Sequence, residues 1–443
     1  MTKIRLATRE TFQSLHVRNF RLFFGGQLVS QVGNWLTLVA QTLLVLSLGG
    51  HGLELGFLVA AQFGPVLLIG PWAGLVADRS DKRKLLIVVQ IIAMAQSFVL
   101  AALAFSGNPP LAAIYAVAFI GGITIAFDNP ARRAFVVEMV PEDDINNAVS
   151  LNSALMTSAR VFGPALAGLL VVTAGFGWAF LLDGASYLAV IAALAMMRTR
   201  ELRPAPITPK AKGQVRAGLR YARSIPELWV PLMMMAIVGT LSYNFQVVFP
   251  LFVTEDLGGT ELTFTILFSV VSVGALIGAL LAARRTRIDI RAVAKASLAY
   301  GVALGLMGLA PSAAFAFPLG ILVGLGSIAF LTASTAIVQI RADPTMRGRV
   351  LALQAMVFLG STPIGGPIVG WICEVFGARA GVAVGAAAAI GAGAWGFVVA
   401  RRRDERAPLT HEETTEAVEL ALGDFDEDVA PALAPRGVTP ARP

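Results

Sequence analysis

Between Leu55 and Phe105 two long apolar stretches, 55–77 and 85–105, are separated only by Asp78-Arg79-Ser80-Asp81-Lys82-Arg83-Lys84. Each stretch reaches the ~20 apolar residues that carry a helix across a bilayer core. A soluble core helix does not need that length on both sides of a short charged turn, so the pattern predicts two membrane spans joined by a tight loop.

Applied along the chain, the same reading gives twelve spans: 22–47, 55–77, 85–106, 111–131, 148–172 and 177–197, then 229–253, 263–283, 292–310, 313–339, 350–373 and 378–400. The chain is 56% hydrophobic and 14% charged, against a charged fraction of roughly a quarter in soluble proteins. Residues 1–21 hold Lys3, Arg5, Arg9, Arg18 and Arg21 but no apolar signal core, so the first apolar segment is expected to stay as a span.

Charge fixes the expected orientation. Apart from Arg160, inside a span, and Arg379, in a loop of the other set, the 35 Lys and Arg fall in the two tails or in and beside alternate loops. The positive-inside rule then places both termini in the cytoplasm, in an inner (cytoplasmic) membrane. This distribution accounts for the net charge of +7 as topology and argues against nucleic-acid binding. Cys373 is the single cysteine, and His16, His51 and His411 are scattered, so no disulfide, metal site or cofactor is expected. The phosphate-binding loop of ATPases, His-Glu-x-x-His and Gly-x-Ser-x-Gly are all missing from the sequence, so no catalytic residue is assigned and an enzyme is not expected.

The halves repeat. Ile125-Ala126-Phe127, Pro141 and Gly163-Pro164 recur 203 residues later as Ile328-Ala329-Phe330, Pro344 and Gly366-Pro367. Held across several pairs, such an offset points to internal duplication. The expected fold is an all-α membrane protein, with twelve transmembrane helices in two pseudo-symmetric six-helix bundles. These occupy residues 1–200 and 227–400, with a cytoplasmic linker at 201–226 and a disordered tail at 401–443. Within the linker, 213–224 has the pattern of an amphipathic surface helix.

Polar residues inside the spans are the candidates for function. Gln27, Gln31, Asn34 and Gln41 share one stripe of the first helix, at offsets 0, 4, 7 and 14, and lipid would penalise them, so they face either a cavity or another helix. Tyr243, Asn244 and Gln246 are polar at a comparable place in the seventh span. Arg160, halfway along the fifth, needs a partner or a watery cavity, with Asp128 as one acidic candidate. Asp183, inside the sixth, is a second acid able to exchange a proton. Asp128 and Asp183 also fit structural ion pairs.

These residues sit within a wider resemblance. Gly74 to Lys84 is similar to the Gly-x-Leu-x-Asp-Arg-x-Gly-Arg-Lys loop of the major facilitator superfamily. Asp128-Asn129-Pro130-Ala131-Arg132, Arg160-Val161-Phe162-Gly163-Pro164 and Arg347-Gly348-Arg349-Val350 resemble elements of its multidrug and siderophore exporter branch. Val76 stands at the usual Leu, Asp81 at the usual second Gly, and the second-half loop has Ala282 where the first has Asp78.

The resemblance implies a monomeric secondary transporter, exporting a drug- or siderophore-like amphipathic molecule by proton antiport and alternating access. Spans 1, 4, 7 and 10 would surround the substrate path. It implies a conformational latch at Gly74, Asp78, Arg79 and Lys82, with Gly74 allowing close helix approach and Asp78 pairing with Lys82 or a facing helix end. Topology alone would also explain a charged loop. Gly163-Pro164 would serve gating or packing. A lipid or lysophospholipid translocator and a non-transporting receptor or scaffold are the competing readings.

Overall fold

The structure, a computed structural model, describes residues 12–203, 214–282 and 288–404. Fourteen α-helices carry it: α1 (Arg18–Ser47), α2 (Gly52–Arg79), α3 (Lys82–Phe105), α4 (Leu111–Glu138), α5 (Ile145–Ala174), α6 (Phe176–Ala195), α7 (Gln214–Ser224), α8 (Pro226–Leu241), α9 (Phe245–Leu251), α10 (Glu261–Ala282), α11 (Ile290–Gly308), α12 (Ala313–Arg341), α13 (Pro344–Phe376) and α14 (Ala378–Asp404). No strand occurs among the described residues. Twelve segments are long and apolar enough to cross a membrane, the seventh being α8 and α9 run together over Pro226–Asp256. Helices dominate because a bilayer core offers backbone N–H and C=O groups no partner outside the segment itself.

Duplication is visible in the helix ends. α2, α3 and α4 finish at Arg79, Phe105 and Glu138, and α10, α11 and α12 finish 203 positions later at Ala282, Gly308 and Arg341. In the first half α1 packs on α5 and α6, α2 on α4, and α3 on α6. In the second, α10 and α11 pack on α12, and α8 on α13. α2 against α13 and α5 against α10 join the two halves. The described residues up to Phe397 make one compact unit, separate from the segment that starts at Val398. Of the latter, only the last turns of α14 are described, and the expected tail from 405 onward lies outside the described residues, as does the linker stretch 204–213.

Charge does not stop a helix when it is neutralised locally. The fourth span was expected to close at Ala131, yet α4 runs on to Glu138. Asp128 and Arg132 are ion-paired one turn apart, which removes the penalty that marked the boundary. Asp128 therefore sits ten residues inside the helix end. α3 starts where Asp81 accepts a hydrogen bond from the Lys84 N–H at 3.1 Å, so the residue replacing the usual glycine serves as a helix cap.

Beneath this loop Phe20, Phe23, Leu86, Phe135 and Leu194 form a buried cluster. Lys82 pairs with Glu138 at 2.6 Å, both side chains below 10% exposed. Arg83 donates to the carbonyls of Leu194 and Ala195 at 2.6 and 3.1 Å. Lys82 begins a new helix, so it does not stand one turn after Asp78 on a common helix, and its ion pair is with Glu138. Gly74 has open space within 4 Å of where a Cβ would stand, so close approach is not made there.

Arg379, the basic residue on the other side, is held by local chemistry. It donates to Gly308 and Ala310 carbonyls at 2.7 and 2.9 Å and pairs with Asp256 at 3.3 Å. In the linker, α7 realises the expected helix. Its Tyr221 hydroxyl accepts from the Asp343 N–H at 2.9 Å, at the foot of α13.

Candidate functional site

A cavity of about 320 Å³ lies among the helices of the first half, with Gln246 as its lining residue from the second. That volume is within the usual range for small-molecule sites, roughly 300–1,000 Å³. Its wall mixes amides (Gln31, Asn34, Gln41, Gln62, Gln90, Gln96) with apolar surface from Trp35, Leu38, Phe63 and Met156. Amides give hydrogen bonds without fixed charge, and the apolar faces suit a body that is only partly polar.

The α1 stripe supplies part of that wall because Gln31, Asn34 and Gln41 fall on one helix face. Asn34 donates to Gln31 at 3.0 Å and accepts from the Tyr187 hydroxyl at 2.7 Å. Gln62 donates to Gln41 at 2.5 Å. Of the expected cavity residues, Arg160 and Gln246 also line it.

Gln27, Tyr243 and Asn244 are placed elsewhere. Gln27 is buried and accepts from Arg132. Tyr243 and Asn244 stand at the break between α8 and α9, which frees backbone carbonyls that need donors inside the membrane. Tyr243 donates to the Ser327 carbonyl at 2.5 Å and Asn244 to the Thr240 carbonyl at 2.7 Å. The break is further tied by Tyr300, donating to the Ser242 carbonyl at 2.8 Å, and Ser242, donating to the Gly385 carbonyl at 2.6 Å.

The two acids differ in surroundings. Asp128 lines the cavity, pairs with Arg132, and accepts from Gln90 at 2.8 Å. Asp183 is fully buried one layer behind the wall. Its Oδ2 accepts from Thr37 at 2.5 Å and from Ser97 at 2.7 Å. Its Oδ1 meets no donor and faces Gly33, where any Cβ would collide with it. Thr37 lines the cavity, so one hydroxyl separates this acid from the open space. Gly33 and Thr37, one turn apart on α1, form the seat for Asp183, a relation invisible in a search for polar stripes alone.

Gly163 makes room for Trp35, whose side chain occupies the place of a Cβ. Pro164 lacks an N–H, so the carbonyl of Arg160 has no helical partner.

A seam of glycines joins α2 to α13 at the ends of these helices away from the basic loops. Gly52 meets the backbone of Gly370, and Gly56 that of Gly366, each so closely that a Cβ would collide. These are two Gly-x-x-x-Gly pairs set face to face, the arrangement that lets membrane helices touch along their backbones. Glu374 accepts from the Leu53 N–H at 3.0 Å, and Gly168 seats Thr265 between α5 and α10. The two facing pairs lie more than three hundred positions apart in the chain, so no local pattern in the sequence links them.

Chemistry is unequal between the halves. At the positions 203 residues after Asp128, Arg132, Arg160 and Asp183 stand Leu331, Thr335, Pro363 and Ala386.

Comparison with known proteins agrees with this architecture. Residues 9–430 match the family model described as transmembrane secretion effector. Macrolide efflux protein A of Streptococcus pyogenes is 26% identical over 357 residues, covering 78% of this chain and 87% of that protein. The staphyloferrin A transporter of Staphylococcus aureus is 23% identical over 360 residues, covering 81% and 90%. A solved bacterial homologue of the human lysosomal transporter Spinster shares the fold, with a TM-score of 0.70 at 16% identity, over 86% of this chain and 96% of that one.

Proposed function

The chain belongs to the transmembrane secretion effector family, within the major facilitator superfamily, and on that premise we propose that it is a secondary transporter exporting an amphipathic small molecule by alternating access, with protons as the exchanged ion. The observation that carries this reading is the half-polar cavity placed between helices, beside a glycine seam that holds the two halves together. Macrolides and staphyloferrin A are the small molecules named for two of the relatives.

The location we propose is the cytoplasmic membrane, with the basic loops and both chain ends inside, as positive charge directs. In that orientation the seam is the outer gate and the conformation faces the cytoplasm. Substrate would enter from inside and settle against the amides of α1. Parting of α2 from α13 and of α5 from α10 would open the outer mouth, while closure at the basic loops shuts the inner one. A proton entering from outside would reach Asp183 past Thr37, and its release inside would reset the cycle. Asp128, tied to Arg132, is the second candidate for that exchange. The protein would work as a monomer in lipid, with residues 1–200 and 227–400 as the moving bodies and 201–226 as their tether.

Purified protein in liposomes, loaded with anionic, neutral and cationic fluorescent amphipaths, tests the reading. Efflux that rises with an imposed pH gradient and collapses with protonophore is the expected result. Efflux indifferent to both removes proton antiport, and no movement of any probe, with the protein folded, favours a receptor or scaffold.

A further inference from the structure

We infer that Arg160 forms an anion-binding subsite in the cavity, and that the exported molecule is an amphipathic organic acid whose carboxylate pairs with that guanidinium. The inference rests on the export reading and deepens it by naming the substrate's chemistry.

Among the described residues three charged side chains line the cavity: Asp128, Arg132 and Arg160. The first two neutralise each other, and both are nearly out of reach, at 13% and 7% exposure. The other oxygen of Asp128 is taken by Gln90, and the other arm of Arg132 by Gln27. Arg160 is different. It is exposed to the cavity, and among the described residues no carboxylate stands within ion-pair distance of it. Asp183 is turned away into its own seat with Thr37 and Ser97. The cavity lining therefore carries one uncompensated positive charge.

That charge sits midway along the thirty residues of α5, at the depth where an unpaired guanidinium is most costly. Such a group persists in the wall of a wet cavity that receives a counter-charge. Guanidinium is a planar fork of N–H donors, matched to both oxygens of a carboxylate. Duplication gives no second copy, because the equivalent position is Pro363, so the subsite is single. Apolar surface from Trp35 and Met156 nearby accommodates the rest of the molecule, while a cationic ligand would meet repulsion. Export of an anion is also favoured by an inside-negative membrane, which drives negative charge outward.

Three probes with one apolar body test this: dansylglycine, neutral dansylglycinamide, and cationic dansyl-ethylenediamine. Binding to the purified full chain is followed by dansyl fluorescence, and efflux is measured from liposomes. Dansylglycine is expected to bind roughly 10- to 100-fold more tightly than dansylglycinamide, as for a charge-assisted pair. Arg160→Gln should abolish that preference, and Arg160→Lys should restore part of it, which keeps the test decisive if the first variant folds poorly. Equal binding of all three probes, no binding of dansylglycine, or a preference surviving in Arg160→Gln overturns the inference. Export itself stands in those cases if any probe still crosses. Selective binding that depends on Arg160, with no probe exported, upholds the subsite and removes the export reading.

Discussion

The Thr37 hydroxyl donates to Oδ2 of Asp183 across 2.5 Å, joining a residue of the cavity wall to an acid with no exposure of its own. The seat is completed by Ser97 on the same oxygen and by the space Gly33 leaves beside the other. An intramembrane acid held by hydroxyls, with no cation paired to it among the described residues, is placed for proton exchange. Asp183→Asn, which keeps the shape, should reduce accumulation driven by a pH gradient by about 10-fold or more, the effect of roughly 1.4 kcal/mol, while substrate exchange at equal pH continues. A variant as responsive to pH as the native protein would move the coupling to Asp128.

At the seam, Gly56 lies against the backbone of Gly366 with no room for a Cβ. Gly56→Val overfills this contact, and overpacking of a tight site costs about 1–3 kcal/mol. The closed outer gate should lose population by roughly 5- to 150-fold. A cysteine at Gln41, in a Cys373→Ser background, would report this as faster labelling by an impermeant maleimide added outside. Labelling at the native rate would mean that the seam does not hold the gate.

Asp128 and Arg132 form a buried pair inside α4. Removing one partner of such a pair costs about 3–5 kcal/mol, whereas removing both is often tolerated. Asp128→Asn should lower the unfolding temperature in detergent, and the double variant Asp128→Asn, Arg132→Gln should recover most of the loss. If the double variant is as unstable as the single, the pair is not what the acid stabilises.

Lys82 and Glu138 bind the start of α3 to the end of α4. Lys82→Met removes the cation 2.6 Å from Glu138 and should lower the unfolding temperature in detergent. Exchanging the two residues, Lys82→Glu with Glu138→Lys, should restore stability in the same detergent assay. Failure of the exchange to restore it, with Lys82→Met unstable, would assign Lys82 a further partner.

How much of this was legible in the residues differs by layer. The twelve spans follow from the length of apolar runs, and the repeat from a constant offset, because bilayer thickness and gene duplication both act on linear sequence. The α1 stripe also announced itself, since Gln31, Asn34 and Gln41 share a helical face. What stayed hidden depended on partners distant in the chain. Gln27 looked like a cavity residue but accepts from Arg132, 105 positions away. Asn244 donates to the Thr240 carbonyl within the break between α8 and α9, and Tyr243 ties that break to α12 through the Ser327 carbonyl. Arg379 broke the charge pattern because three carbonyl and carboxylate groups hold it where it stands. The end of α4 was misplaced because charge was read as a boundary without its intrahelical partner.

The central claim is that the two halves must part at the glycine seam in every transport cycle. Leu53 and Glu374 face each other across it, the N–H of one 3.0 Å from the carboxylate of the other. Leu53→Cys with Glu374→Cys, in a Cys373→Ser background, joined by a short bifunctional thiol reagent, fixes the seam shut. The account predicts that efflux from liposomes falls to the level of empty vesicles on cross-linking and returns when reductant cleaves the link. Undiminished efflux from fully cross-linked protein would contradict it.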